Sequence, residues 1–324
     1  MCQSQEADML DQRIYTFLAV CENMNYTRAA EVLHITQPAV SHQIKSLENQ
    51  YGVQLFVYEN KRLTLTPAGS LLLRSAVTMS NDEKLTSEQI TRSSQRRLSL
   101  RFGTTLTIAD FAIFKPLSAY IQNHPDTDIR MLVANTDELL RQLRSCETHF
   151  ALVEGYFDRS EFDSITFRTE PFTAVCAAGH RFVSNGADVN VRSVGTRQTP
   201  APMSVKDLLG ESLLVREPGS GTRDIFEKNL EAMNLSLSQF ARITEIGSMH
   251  VILKLVAADL GISFMYRAAA QESIDSGLIR EIPLDDFHVT HDFAFIWNKG
   301  SIFADTYRQI CREMMEESSS FHLK

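Results

Sequence analysis

The chain has few cysteines and no cysteine motif. Its five cysteines, Cys2, Cys21, Cys146, Cys176 and Cys311, are scattered along 324 residues without a CxxC pair. An odd number at such wide spacing fits neither a zinc site nor a disulfide framework. We therefore expect reduced thiols, no metal and no cofactor, with a redox switch as the less favoured alternative.

Long apolar runs are also missing. No stretch reaches the roughly 18 apolar residues that a transmembrane helix needs. The N-terminal segment MCQSQEADMLDQR has no apolar region of the kind found in signal peptides. These two absences predict a cytoplasmic protein without a membrane partner.

Signatures of catalysis are absent as well. The nine histidines are dispersed, and the sequence contains no HExxH and no Ser/His/Asp spacing that stands out. The glycine-rich segment at 219–223, GSGTR, lacks the Gly-Lys-Ser/Thr ending of a P-loop and is not a GxGxxG fingerprint. We therefore expect no enzyme activity. Two competing hypotheses are an α/β enzyme and a solute-binding module.

The net charge of −8 disfavours binding to nucleic acid, which attracts basic surfaces. The acidity is unevenly distributed, however. The segment from Asp11 to Thr66 has five Lys/Arg and five Asp/Glu, so it is neutral. A neutral domain can bind DNA if its cations share one face, and 324 residues leave room for two or three domains.

The N-terminal segment has the pattern of three short helices and a β-hairpin. Helical spacing at Ile14–Cys21 is followed by a helix capped by Thr27 and a third helix capped by Thr36, with Pro38 in its first turn and Gly52 at its end. Strands at 55–58 and 63–66 flank a turn at 59–62. This order predicts a winged helix-turn-helix domain over residues 1–66.

The third helix presents a polar face opposite its apolar stripe. Gln37, Ser41 and Lys45 recur every four residues with His42 beside them, which suits contact with base edges in the major groove. Threonines at the helix starts could meet phosphates, and cations at the wing tip could reach the DNA backbone. The alternative is a solvated face on a small bundle. The candidate DNA contacts are Thr27, Thr36, Gln37, Pro38, Ser41, His42, Lys45, Lys61 and Arg62.

These residues resemble a known family. The segment is similar to the start of a LysR-type transcriptional regulator. The similarity is carried by Ala29-Ala30, the run from Gln37 to Ile44, Leu47-Glu48, Gly52, Leu55-Phe56 and the run from Leu65 to Gly69. The resemblance is ungapped over about sixty residues. It implies DNA binding, and it departs from the family where His42 and Tyr58 stand in place of arginines.

A long helix follows from Pro67 to about Arg92, with a hinge at 89–97, so residues 67–97 form a linker. Its apolar stripe of Ala68, Leu72, Ala76 and Met79 has roughly heptad spacing. In the resembled family this helix joins two DNA-binding domains, so we expect a homo-oligomer, as a dimer of dimers. Packing against its own domain is the alternative.

Residues 98–324 alternate strand and helix patterns, which is typical of an α/β fold with mostly parallel sheets. The resemblance extends more loosely here and implies a two-lobed effector domain similar to type 2 periplasmic solute-binding proteins. We place lobe I at about 98–170 and 268–300 and lobe II at 171–267. Residues 183–202 are rich in Ser, Asn, Gly and Thr and are typical of an exposed loop.

Polar turns at strand ends indicate a ligand cleft between the lobes, because open α/β sheets bind ligands there. The candidate effector contacts are Thr104, Thr105, Glu154, Ser220, Gly221, Thr222 and Ser248. Helix N-termini with hydroxyls, flanked by Arg216 and Arg223, favour a small anion. Alternatively, those arginines pair with Glu217, Asp224 or Glu227 and never meet a ligand. Together these features predict a DNA-binding regulator controlled by a small metabolite, with RNA polymerase as a further candidate partner.

Overall fold

The computed structural model describes residues 9–59, 62–92, 98–182 and 203–317. The predicted loop at 183–202 and the predicted wing residue Lys61 lie outside these ranges. Among the helices of the described ranges, none has the length and apolarity of a membrane span. The N-terminal elements are α1 (Gln12–Asn23), α2 (Tyr26–Val32), α3 (Gln37–Tyr51), β1 (Phe56–Glu59), β2 (Arg62–Leu65) and α4 (Pro67–Arg92). The predicted winged helix-turn-helix with a long helix after it is confirmed.

Local signals explain how α2 and α3 begin and end. Thr36 Oγ1 accepts a hydrogen bond from Ala39 N at 3.3 Å, and Gly52 ends α3 in the left-handed conformation at φ 69°. The cap predicted for α2 was wrong. Asn25, not Thr27, caps this helix, because its Oδ1 accepts from Thr27 N at 2.8 Å and from Arg28 N at 3.1 Å. The side chain of Thr27 is therefore left exposed on the first turn.

The C-terminal part alternates strands and helices, as predicted. Its elements are β3 (Leu98–Thr104), α5 (Leu106–Phe111), α6 (Phe114–Asn123), β4 (Thr127–Val133), α7 (Thr136–Arg144), β5 (Phe150–Val153), β6 (Phe162–Ala177), β7 (Ser212–Val215), α8 (Gly221–Ala232), β8 (Arg242–Glu245), α9 (Met249–Ala257), β9 (Ser263–Tyr266), α10 (Arg267–Asp275), β10 (Ile279–Glu281), β11 (Val289–Asn298) and α11 (Ala304–Glu317).

The main sheet has the strand order β10-β6-β11-β5-β3-β4, with β9 also paired to β6, and β7 and β8 form a separate parallel pair. The prediction of mostly parallel sheets was wrong for the main sheet, because the long strand β6 pairs antiparallel with β9, β10 and β11, and β11 pairs antiparallel with β5. One end of β6 pairs with β11 in lobe I, and its other end carries β9 and β10. The structure differs here from the predicted lobe boundary. Ala269 and Ile279 pack into the same apolar cluster as Leu214 and Met249, so the segment 267–281 belongs with lobe II rather than lobe I.

The linker helix α4 is held by both domains. Ala76 is fully buried against the core of the DNA-binding domain, and Ala68 and Leu72 pack on the same cluster. The stripe predicted as a dimer contact therefore packs mainly within its own domain, and only Met79 of the four is exposed. At the other end, Asp82 accepts hydrogen bonds from Ser301 Oγ and from Ile302 N at 2.9 Å, which anchors the helix to the effector domain.

Candidate DNA-binding surface and effector cleft

The outer face of α3 is polar and open. Gln37, Ser41, His42 and Lys45 are exposed, whereas Val40, Ile44 and Leu47 on the opposite face are buried. Since α3 is held by that apolar face, its polar side chains are free to enter a groove of duplex DNA.

The surroundings of α3 supply further exposed groups. Thr36 and Pro38 lie at its start, and Thr27 lies on the first turn of α2. Arg62 is exposed at the start of β2, where it pairs across the wing with Glu59 in the strand register. The sequence did not single out Arg28 as a DNA contact. It is exposed beside Thr27, and its position in the first turn of α2 was the available signal.

Hydrogen bonds fix the wing and the first helix relative to α3. Glu48 Oε1 accepts from Leu55 N at 2.8 Å, so the carboxylate of the Leu-Glu pair holds the chain entering the wing. Arg13 Nη1 donates to Ser46 Oγ at 3.0 Å and ties α1 to α3. The polar face of α3 and the wing are thus presented as one rigid surface.

In the effector domain, residues from both lobes meet at one carboxyl group. Glu154 follows β5 and is 2% exposed. Thr105 Oγ1 donates to its Oε2, and Thr222 Oγ1, from lobe II, donates to its Oε1 at 3.3 Å. Thr107 and Thr222 are also joined through their hydroxyls at 3.3 Å. The structure thus brings together three of the predicted effector residues and adds Thr107, for which closeness to Thr105 in the chain was the available signal.

The two lobes touch at glycine. A Cβ added to Gly221 would lie 2.6 Å from Gly155 N and 3.0 Å from Thr136 Oγ1, which is too close for any side chain. Gly221 begins α8 in lobe II, whereas Gly155 and Thr136 belong to lobe I. The absence of a side chain at Gly221 therefore allows the cleft to close.

The remaining predicted effector residues lie nearby without joining the carboxyl cluster. Thr104 is fully buried, and its Oγ1 donates to Thr105 O at 3.3 Å rather than to Glu154. Ser220 is buried as the residue before α8. Ser248 is half-buried before α9, and within the described residues no hydrogen bond joins its side chain to Glu154.

Burial changes the acidity of Glu154. Desolvation raises the pKa of this carboxyl to about 7, although its hydrogen bonds from threonine hydroxyls and the nearby Arg216 act in the opposite direction. A carboxyl group with this pKa is largely protonated in mildly acidic solution. Protonated, it can donate a hydrogen bond to an acceptor, and ionised, it repels an anion.

The two arginines flanking α8 are paired with acidic neighbours, as the alternative interpretation anticipated. Arg216 bonds to Glu217 through Nε and Nη2, each at 2.8 Å. Arg223 pairs with Glu227 at 2.7 Å and with Glu245 at 2.9 Å. Most of their hydrogen-bonding capacity is therefore committed within lobe II.

Two buried polar atoms keep unused hydrogen-bonding capacity. Arg216 Nη1 and Thr136 Oγ1 have no hydrogen-bond partner within the described part of the chain. Thr136 begins α7 at the lobe contact. Sequence reasoning missed it, and the alternation of strand and helix patterns in residues 98–324 was the available signal. Both atoms are donors that a ligand in the cleft could still engage. No group of His, Cys, Asp and Glu in the described ranges is arranged for a metal ion.

Comparisons with known proteins cover both parts of the chain. Residues 12–70 match the bacterial regulatory helix-turn-helix proteins of the lysR family, and residues 93–316 match the LysR substrate binding domain. The regulator CfxR of Cupriavidus necator is 32% identical over 78% of this chain and 74% of its own length, and CysL of Bacillus subtilis is 27% identical over 87% and 88%. The full-length structure of LysG from Corynebacterium glutamicum, with its bound effector Arg, covers 95% of this chain and 97% of its own at a TM-score of 0.61 and 14% identity.

Proposed function

Because this chain belongs to the LysR family of bacterial transcription regulators, we propose that it reads its operator with α3 and responds to a small anion in the cleft around Glu154. The observation that carries the second part is the single buried carboxyl shared by hydroxyls of both lobes. A ligand at this point contacts both lobes and so affects how closely they approach each other.

On DNA, Gln37 and Ser41 contact base edges while Lys45 and His42 lie along the same face. Thr27 and Arg28 on α2 and Thr36 before α3 contact phosphates, as do Lys61 and Arg62 of the wing. Pro38, in the first turn of α3, lies against the DNA without donating a hydrogen bond. The exposed polar face of α3 supports this division, since hydrogen bonds to base edges specify the sequence whereas contacts to phosphates mainly position the protein.

In the cleft, the anion accepts hydrogen bonds from two kinds of donor. Some have no hydrogen-bond partner among the described residues, and others can leave their present partner Glu154. Arg216 Nη1 and Thr136 Oγ1 offer two donors, and protonated Glu154 offers a third. The hydroxyls of Thr105 and Thr222 can turn from Glu154 to the ligand. The surrounding turns are shaped by Thr104, Ser220, Gly221 and Ser248.

A thermal-shift screen of metabolite anions is the first experiment. A ligand at about 100 times its dissociation constant stabilises the folded state by roughly 2.7 kcal/mol. Each hit is then measured on the double variant Thr105→Val with Thr222→Val, which removes hydroxyls at nearly constant volume. Thr127→Val, half-buried at the start of β4 and away from Glu154, serves as the matched control.

The double variant should fold, bind operator DNA and lose its response to the hit, whereas the control keeps it. An unchanged response in the double variant would place the effector elsewhere. If no anion shifts the melting temperature but a cation or neutral metabolite does, the anion assignment is wrong, and the double variant then tests the cleft assignment with that metabolite.

We also propose a homo-oligomer, with four chains arranged as a dimer of dimers. Two DNA-binding domains on one frame raise the effective concentration of the second at its half-site. On α4 the exposed large apolar side chains are Leu71, Met79 and Ile90. The strand β4, at the edge of the main sheet, exposes Met131, Leu132 and Val133, which suits pairing of effector domains. Analytical ultracentrifugation of Leu71→Glu and Leu132→Glu should give smaller species, and a monomeric parent protein would contradict the proposal.

We further propose that the protein works in the cytoplasm, where a bacterial transcription regulator meets DNA, with RNA polymerase as a candidate partner and without enzyme activity. A gel shift with DNA from upstream of its own gene distinguishes this function from that of a solute-binding module or an α/β enzyme. Only the regulator should bind that DNA specifically.

A further inference from the structure

A cavity of about 590 Å³ lies between the DNA-binding domain and the effector domain, apart from the cleft around Glu154. Its walls come from α1, from the first part of α4, and from α7 and the ends of β6 and β11 in lobe I. A volume of this size is within the usual range for pockets that hold small ligands.

Much of the lining is apolar. Leu18 and Cys21 of α1, Leu73 and Val77 of α4, and Phe162 of β6 all face this space. Leu18, Cys21 and Leu73 are only partly buried against the core of the DNA-binding domain, so each keeps some apolar surface that a ligand could cover. A ligand here would bury apolar surface from both domains at once.

The charged part of the lining has an excess of cations, with three arginines and two glutamates. Arg144 is paired with Glu161 at 2.8 Å. Arg141 pairs with Glu138 and Glu147, which do not line the cavity. Two of the three arginines are therefore committed to carboxylates of lobe I.

The third arginine of the lining, Arg74, is exposed on α4 and forms no ion pair within the described ranges. Its charge helps to lower the pKa of Asp158, but the main cause of that shift is the hydrogen bond from Ser160 N, so Arg74 acts there only at a distance. An apolar wall beside an unpaired guanidinium suits a molecule with an apolar body and an anionic head.

We propose that this interdomain cavity is a second ligand site, which takes an amphipathic carboxylate whose head group binds Arg74 and whose apolar body lies against Leu73, Val77 and Phe162. Because the walls belong to both domains, occupancy favours the docked arrangement of the DNA-binding domain on lobe I. By linkage, any change this causes in operator affinity must be matched by an equal effect of operator DNA on the ligand.

The test uses the full-length protein and decanoate as the probe, with decanol and decyltrimethylammonium as uncharged and cationic analogues. Isothermal titration should show one decanoate site per chain and weaker binding of both analogues. Arg74→Gln should lower decanoate affinity about tenfold, the loss expected for one charge-assisted hydrogen bond. Arg130→Gln, which removes an exposed arginine of β4 outside the cavity, is the matched control and should bind normally.

A second variant fills the space. Ser145→Phe places a ring at an exposed position of the effector-domain wall and should abolish binding while operator DNA is still bound. The double variant Thr105→Val with Thr222→Val should still bind decanoate, which separates this site from the effector cleft.

Three outcomes would overturn the proposal. Equal losses of decanoate affinity in Arg74→Gln and Arg130→Gln would show that decanoate binds nonspecifically, as a detergent does. Equal affinity for all three probes would show that Arg74 does not select the anion. Absence of decanoate binding to an oligomer, with binding only to dissociated chains, would show that a second copy of the chain covers the cavity.

Discussion

The DNA-binding face and the effector cleft use polar residues in opposite ways. On α3, Gln37 and Ser41 are exposed, and the partners that we propose for them are bases of the operator. In the cleft, Thr105, Glu154 and Thr222 are buried and already bonded to one another. A surface that reads a large, hydrated partner can keep its polar groups solvated. A cleft that encloses a small ligand must satisfy its buried polar groups when no ligand is present.

The largest effect is expected where the lobes meet. Gly221→Ala places a Cβ 2.6 Å from Gly155 N, so the cleft cannot close without a backbone shift. Overpacking of this kind should cost about 3 kcal/mol of effector-domain stability and remove the effector response. Gly210→Ala is the control, because a Cβ there meets nothing within 4 Å. Denaturant unfolding measures both, and equal stabilities would show that the lobes do not touch at Gly221.

The next prediction concerns the pH dependence of stability and of anion affinity, which we expect to arise from the cleft alone. The pKa of Glu154 is raised from 4.5 to about 7 by burial, so the folded protein holds a proton that the unfolded chain releases between those values. This contribution to stability is complete below about pH 4.5 and is lost as the pH rises to about 7, on the order of 3 kcal/mol in total. Anion affinity should fall in the upper part of the same window, where Glu154 ionises.

Melting temperatures between about pH 5 and 8 check this pH dependence. Glu154→Gln should flatten the profile in that range, whereas Glu147→Gln, which removes an exposed carboxylate, should leave the slope as it is. A wild-type profile already flat over this range would contradict the raised pKa and remove the reason for a protonated donor in the cleft.

On the DNA side, Gln37→Ala should cost on the order of 1–3 kcal/mol of operator binding and relax base preference at one position. The side chain is exposed at the start of α3, so the fold should be unaffected. Fluorescence anisotropy with the operator and with its single-base variants measures both the affinity and the preference.

The matched control for this change is Gln50→Ala, because it removes the same side chain from the same helix. Gln50 is exposed on the last turn of α3, away from the helix start that we propose enters the groove. This variant should keep full affinity and base preference. If Gln37→Ala behaves in the same way, α3 does not read bases through Gln37.

The smallest effect is expected at the wing. Arg62→Ala should weaken binding to all sequences alike, because one phosphate contact is lost. The slope of the logarithm of the binding constant against the logarithm of the salt concentration should become shallower by about 1. Titrations at several salt concentrations measure the slope. A change of base preference in this variant would mean that the wing also reads sequence, and the two roles assigned to α3 and the wing would then merge.

The DNA-binding domain could be predicted in detail because its signals are local. The cap Thr36, the apolar stripe from Val40 to Tyr51 and the terminal Gly52 define one helix, and the structure confirms its bounds. The stripe is buried as predicted except at Tyr51, which is 49% exposed at the end of the helix. The cap of α2 was wrong because Asn25 and Thr27 are both good caps two residues apart, and the sequence does not decide between them.

The cleft could be predicted only in part because its residues are far apart in the chain. The turns at Thr105 and Thr222 were identified from strand and helix patterns, but nothing local indicated that both would donate to Glu154. The stripe on α4 shows the same limit. Its spacing predicts an apolar contact, yet it cannot tell a partner helix from the core that buries Ala76.

Because Asp82 fixes α4 to the effector domain, a rotation of that domain moves the DNA-binding end of the helix. Fifteen residues separate Asp82 from Pro67 at the DNA-binding end, which corresponds to about 22 Å of helix. If the effector domain tilts this anchored rod by about ten degrees, simple geometry moves the far end by roughly 4 Å, close to the spacing of about 3.4 Å between successive bases of one DNA strand. A small rotation at Ser301 and Ile302 would therefore displace the DNA-binding end of α4 by a distance comparable to one base step.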